Sequence, residues 1–369
     1  MTQGRSSSAG SPRARGPGGN GGHRERSVTV AGIRLVVREL GEGHPVLLIN
    51  GIGAHMDMWA PLERSLPAMR LIAFDAPGTG RSATSLVPLS LDLLTELTAR
   101  MLDRLGYDRV DVLGYSFGGL VAQSLARRDP ERVRRLVLAA STPGWGGIPG
   151  SMWTLGQMST PLRYYWRPYY ESVIGDLMGG RARRDREFVR RHGDARQLSP
   201  PTPLGYLWQV LALIGNPGSL GWLHELRCET LVVAGDDDPV MPLANALLLA
   251  RHIPQARLLV APGEGHLLLM DGSSAALPAI NSFLSAAQAR DSRAWQEATA
   301  VDQPMLDAGL GASRDSLINP WGLISAAVRE LRRWQAPPAR AEGAHGAPAG
   351  SGSSSIGTPS ASRTRGTIE

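Results

Sequence analysis

The chain contains no lysine and a single cysteine, Cys228. One cysteine cannot close an internal disulfide, so a disulfide-stapled scaffold is excluded and a reducing, cytoplasmic setting is expected. No apolar run approaches the roughly 20 residues that a membrane helix requires, so no transmembrane segment is expected. The opening residues are rich in Gly, Ser, Arg and Pro and lack an apolar stretch, so no secretory signal is read there. With lysine absent, all 39 basic residues are arginine, against 33 acidic ones. Residues 1–26 carry +4 and residues 291–369 are neutral, which leaves only +2 on 27–290. That span has no basic stripe interleaved with aromatics, so no nucleic-acid partner is expected.

What is present falls into three parts. Gly, Ser and Pro fill 13 of the first 26 positions and 16 of residues 336–369. Such segments bury too little apolar surface to offset their ordering entropy, and both read as disordered tails. Between them, 369 residues leave room for one large α/β unit. A hairpin-like pair at 28–30 and 33–37 is followed by short apolar runs at 45–50, 71–75, 110–114, 136–140, 230–234 and 256–260. These have the character of strands buried on both faces. Segments of helical period at 91–105, 117–128, 244–252 and 274–287 separate them. Strand alternating with helix predicts a mostly parallel sheet flanked by helices.

The rhythm fails between 142 and 225, where no clean strand is visible. That interval holds five of the nine Trp and five of the seven Tyr. It is read as a mainly helical cap inserted into a core made of 27–141 and 226–290. Most of its rings would form the cap's own core, but ten are too many to hide internally. Trp145, Trp153, Tyr206 and Trp208 are therefore expected to face the sheet and wall an apolar pocket.

The sharpest motif is Gly114-Tyr-Ser116-Phe-Gly-Gly119, lying between a strand run and a helical run. A G-x-S-x-G turn in that context presents the serine hydroxyl at the carboxyl edge of the sheet. A neutral hydroxyl needs a base, normally His held by a carboxylate, in the chain order Ser, acid, His. Two loops fit: Gly235-Asp-Asp-Asp238-Pro, after the run at 230–234, and Gly263-Glu-Gly-His266, after the run at 256–260. His266 is the one histidine of eight placed in a loop after a late strand. Asp238 is the preferred acid, with Asp237 as the alternative; the two aspartates not used are expected to shape the turn or cap the following helix. Three adjacent carboxylates without further ligands at metal spacing predict no metal, and no cofactor is called for. The backbone N–H of Phe117 and that of Ile52, in the Gly-rich loop after Ile49, are the expected oxyanion donors. Asp75-Ala-Pro-Gly-Thr-Gly80 reads as a turn bracing the same mouth.

These residues resemble the α/β-hydrolase superfamily. Leu48-Ile-Asn-Gly-Ile-Gly-Ala54, Trp59, Phe74-Asp-Ala-Pro-Gly78, Asp129-Pro-Glu-Arg132, Tyr206-Leu-Trp-Gln209, Trp222-Leu-His224, the stretch 231–242 and Gly265-His-Leu-Leu268 further resemble intracellular depolymerases of medium-chain-length polyhydroxyalkanoates. The resemblance spans roughly residues 30–287, cap included. It implies an α/β-hydrolase fold, Ser116 as nucleophile, Asp238 as acid, His266 as general base, and a polyester substrate. Tyr115 and Phe117 depart from the small residue and Trp common in that family, which leaves chain-length preference open. A small-ester or lactone hydrolase is the enzymatic alternative, and a granule-binding protein without activity is the alternative of another class. In the extension 291–335, Asn319-Pro320 starts a helical pattern with Trp321, Ile324, Val328 and Leu331 on one face. Such a helix either docks on its own domain or lies on a polymer granule.

Overall fold

The computed structural model describes residues 24–314. The apolar runs become eight strands: β1 (Arg24–Val30), β2 (Ile33–Leu40), β3 (Pro45–Ile49), β4 (Arg70–Phe74), β5 (Val110–Tyr115), β6 (Val133–Ala139), β7 (Glu229–Gly235) and β8 (Ala256–Ala261). They form one sheet in the order β1-β2-β4-β3-β5-β6-β7-β8. β1 and β2 pair antiparallel, β2 joins β4 antiparallel, and every later pairing is parallel. Strand β1 starts inside the segment read as a disordered tail: Arg24, Glu25 and Arg26 pair with Glu39, Arg38 and Val37. Cross-strand pairing, not apolar content, orders those three charged residues.

Successive residues of the central strands enter different cores. Leu47, Ile49, Val112, Leu136, Leu138 and Val232 join one apolar cluster, and Val46, Leu48, Leu113, Val137, Leu231 and Val233 join the other. Burial on both faces is what the parallel runs require. The first cluster is covered by α2 (Leu91–Leu105), α3 (Phe117–Arg128) and α10 (Leu243–His252), the second by α1 (Ala60–Ser65) and α11 (Ala276–Ser285).

Between β6 and β7 the chain is helical: α4 (Met152–Met158), α5 (Leu162–Tyr165), α6 (Arg167–Met178), α7 (Gly180–Arg184), α8 (Arg186–Gln197) and α9 (Pro203–Ile214). After α11, the short α12 (Arg293–Glu297) and α13 (Gln303–Arg314) pack back on the sheet and on α10. Thr299 bridges Leu258 of β8, while Ala294, Val301 and Leu306 are buried. The helical pattern at 319–335 and the tail from 336 lie outside the described residues. Among the described residues no helix is long and apolar enough to cross a membrane.

Candidate active site

Parallel strands deliver their following loops to one edge of the sheet, and the candidate residues meet there. Ser116 sits between β5 and α3 at φ 55° and ψ −122°, a conformation that L-residues rarely adopt. Three bonds hold it: its N–H donates to the Ala139 carbonyl, and its own carbonyl accepts from Gly119 N–H and Ser141 Oγ. Gly118 is required by close approach, since a Cβ there would lie 2.2 Å from the Ile49 carbonyl oxygen.

Ser116 Oγ is 3.0 Å from His266 Nε2, and His266 Nδ1 is 2.8 Å from Asp238 Oδ2. The other Asp238 oxygen accepts from the backbone N–H groups of Val240 and Met241 at 2.8 and 2.9 Å. With a carboxylate on Nδ1–H, the Nε2 lone pair faces the serine hydroxyl. Met178 and Tyr115 fix the histidine backbone: His266 N–H donates to the Met178 carbonyl, and the Tyr115 hydroxyl donates to the His266 carbonyl. Tyr115 therefore packs behind the imidazole, its ring centroid 5.2 Å away, and is not part of the cavity wall. Asp237 is used elsewhere, accepting from Gly180 N–H and Arg183; Asp236 accepts from Gly263 N–H.

The loop after β3 arranges its amides one by one. Gly51 N–H donates to Asn50 Oδ1, Gly53 N–H to Gln209 Oε1 and Ala54 N–H to the Gly51 carbonyl. Among the described residues Ile52 N–H has no acceptor, and Phe117 N–H, the first of α3, has no intrahelical one. Both residues border the cavity beside Ser116. The Asp75 carboxylate braces this loop by accepting from Met56 and Arg81 N–H groups; burial raises its pKa above the usual carboxylate range. Two further histidines, His192 on α8 and His55 in the loop packed against it, lie in a separate buried cluster. His55 Nε2 meets the Ala195 carbonyl, and His192 Nδ1 is 2.6 Å from the Tyr170 hydroxyl. Burial lowers both, His192 to about 3.

A cavity of about 500 Å³ opens at Ser116 beneath the helical segment. Its walls are aliphatic: Ile148, Leu155, Met158, Val210, Leu213 and Met241 contribute, with Trp145 at the side. Of the four aromatic residues expected to wall a pocket, the structure places only Trp145 there. Trp153 is largely exposed on α4, Tyr206 is buried against Tyr164 and Arg163, and Trp208 donates its indole N–H to the Ser85 carbonyl. The rings pack the helical segment to itself and to the loops of the sheet, while flexible aliphatic chains line the void. Gln209, which composition did not single out, sits on the buried face of the apolar helix α9 one turn after Tyr206. A lone amide on such a face was the available signal. Among the described residues no cluster of His, Cys, Asp or Glu could hold a metal.

A serine hydroxyl hydrogen-bonded to an imidazole, with two acceptor-free amides bordering the same apolar void, is an arrangement that can support nucleophilic attack on an acyl carbon. Comparison with known proteins gives the family. A family model for the alpha/beta hydrolase fold matches residues 44–273. A poly(3-hydroxyalkanoate) depolymerase from Ectopseudomonas oleovorans is 42% identical over 255 residues, 68% of this chain and 88% of that protein. A 2-hydroxy-6-oxo-2,4-heptadienoate hydrolase from Pseudomonas putida is 29% identical over 273 residues, 71% of this chain and 96% of that protein. Among solved structures, a hydrolase from Pseudomonas aeruginosa superimposes with a TM-score of 0.61 at 26% identity, covering 73% of this chain and 100% of that one. The chain belongs to the α/β-hydrolase family and is a hydrolase related to poly(3-hydroxyalkanoate) depolymerases.

Proposed function

We propose that the chain cleaves the ester bonds of medium-chain poly(3-hydroxyalkanoate) in the cytoplasm through an acyl-enzyme on Ser116. In this reading His266 Nε2 takes the hydroxyl proton as Ser116 Oγ attacks the ester carbonyl, and Asp238 holds the imidazolium that forms. The oxygen that gains negative charge receives the N–H groups of Ile52 and Phe117. Collapse of the tetrahedral intermediate expels the 3-hydroxy group of the departing chain, which leaves with the proton from His266. Water then attacks the acyl-serine, His266 takes the water proton, and Ser116 departs with it, releasing the acyl chain with a free carboxylic acid end.

The observation that carries the reading is the Ser116–His266–Asp238 chain at the end of an aliphatic cavity. The cavity volume is within the range of small-molecule sites, so it suits an alkyl side chain rather than an acetyl group. The 42% identity to a protein named as a poly(3-hydroxyalkanoate) depolymerase favours polyester. Contact with a polymer surface is supported by α9, where Leu204, Leu207, Leu211 and Ile214 are exposed along one stripe beside the cavity. The test is a series of 4-nitrophenyl acyl esters. Each buried CH₂ contributes about 0.8 kcal/mol, so kcat/KM is expected to rise by up to about fourfold per methylene to a medium chain. A maximum at acetyl favours the small-ester alternative.

A further inference from the structure

Resting on the ester-hydrolase reading, we propose that Tyr164 and Gln209 are positioning residues: from the helical segment they clamp the 52–53 peptide and so aim the Ile52 N–H at the oxyanion. The two side chains grip opposite ends of one peptide unit. The Tyr164 hydroxyl donates to the Ile52 carbonyl at 2.7 Å, and Gly53 N–H donates to Gln209 Oε1 at 2.8 Å. Both side chains are buried, 1% and 3% exposed, so water does not compete for either bond. A peptide held at both its C=O and its N–H is restrained against rotation, and because the Ile52 amide is joined to that plane through only the φ and ψ of one residue, the restraint carries to its direction.

The segment reaches this loop only because residue 53 is glycine. Its φ is +69°, and a Cβ there would lie 2.6 Å from the Tyr164 hydroxyl oxygen and 2.9 Å from Tyr206 Cδ2. Tyr164 is itself held in place. The Arg196 guanidinium carbon lies 3.7 Å from the centre of its ring, and Arg163 stacks at 5.1 Å. Both arginines are buried, and Arg163 is anchored in turn by donating to the Gln157 and Thr160 carbonyls and to the Tyr206 hydroxyl, so each presents its guanidinium to the Tyr164 ring. With Gly51, Gly53 and Ala54 N–H groups all engaged, Ile52 N–H is the amide the loop leaves available. Half of the oxyanion hole is thus set by residues more than 100 positions away in sequence, on two different helices.

The experiment compares the full chain with Tyr164→Phe, Gln209→Met and Gln209→Glu, the last retaining an acceptor for Gly53 N–H. For each, kcat and KM on a soluble medium-chain ester are measured per titrated active site. Inhibition by an alkylboronic acid, whose tetrahedral adduct places an oxygen in the hole, and melting temperature are measured alongside. Tyr164→Phe and Gln209→Met are expected to lower kcat and boronic-acid affinity together by about tenfold or more, with KM within about twofold, since a misaimed donor weakens transition-state binding selectively. Gln209→Glu is expected to keep most of both. Should Gln209→Met fail to fold, Tyr164→Phe, which removes one oxygen, carries the test. Variants that lose melting temperature but keep kcat per site and boronic-acid affinity overturn the clamp. Wild-type protein without Ser116-dependent turnover overturns the hydrolase reading and the clamp with it, whereas turnover that survives both substitutions overturns the clamp alone.

Discussion

Three adjacent aspartates in one loop have three different partners, and that division predicts their mutational behaviour. Asp238→Asn removes the carboxylate on His266 Nδ1 and is expected to lower kcat by about 10²–10⁴-fold. Asp237→Asn alters a contact with Gly180 and Arg183 and is expected to stay within about threefold of wild type. Steady-state kinetics of the pair decides the acid; the reverse ranking identifies Asp237. A second prediction at this scale concerns acid stability. Burial, then the nearby Arg196 and His55, keep His192 neutral in the fold down to about pH 3. In the unfolded chain the same group takes a proton near pH 6.5, so the unfolded state binds more protons between these values and stability falls as pH drops. From pH 6.5 to 5 the contribution reaches about 2 kcal/mol, at about 1.4 kcal/mol per unit. Urea unfolding of His192→Gln is expected to show a correspondingly shallower loss; an unchanged slope contradicts it.

At the scale of elements, α9 serves three neighbours at once. Tyr206, Gln209 and Ala212 face inward, Val210 and Leu213 line the cavity, and Leu204, Leu207, Leu211 and Ile214 are exposed. A charge on the outer stripe, as in Leu207→Glu with Leu211→Glu, is expected to reduce adsorption to polymer granules while soluble-ester turnover persists. Equal adsorption by variant and wild type contradicts this use of the stripe. The C-terminal elements have a different task. Thr299 extends the edge of β8, Trp295 stacks on Phe283 at 5.8 Å, and Gly309 lets α13 close on Leu247 of α10. Truncation after Asp291 removes buried Ala294, Val301 and Leu306 and is expected to cost about 3 kcal/mol or more, seen as a lower melting temperature. Truncation after Arg314 leaves every proposed catalytic group in place and is expected to keep soluble-ester turnover. The strands and long helices were legible because period and length are local properties: the run at 117–128 is the whole of α3. The cavity wall was not, because which side of a short helix faces a void depends on how six helices pack. Trp153 and Trp208 have the composition of a pocket and the position of a surface and a brace.

For the molecule as a whole, the sheet order brings loops distant in sequence to one edge, and chemistry is legible there to the extent that it rides on strand ends. Ser116, Asp238 and His266, the proposed triad, each follow a parallel strand, and turn motifs alone singled out these three side chains that the fold brings within hydrogen-bonding distance. Tyr164 and Gln209 come from the inserted helices and meet the loop after β3, the proposed oxyanion loop, only in three dimensions. Residues 27–290 carry a net charge of only +2, a balance that does not call for a polyanionic partner. Degradation of a medium-chain polyester at this site is the proposed activity. It is tested most directly by release of 3-hydroxy acids from amorphous medium-chain poly(3-hydroxyalkanoate) granules, with Ser116→Ala and a short soluble ester measured beside them. Steady release by the wild-type chain and none by Ser116→Ala is the expected result. Ser116-dependent hydrolysis of the short ester with the granules left intact would contradict it.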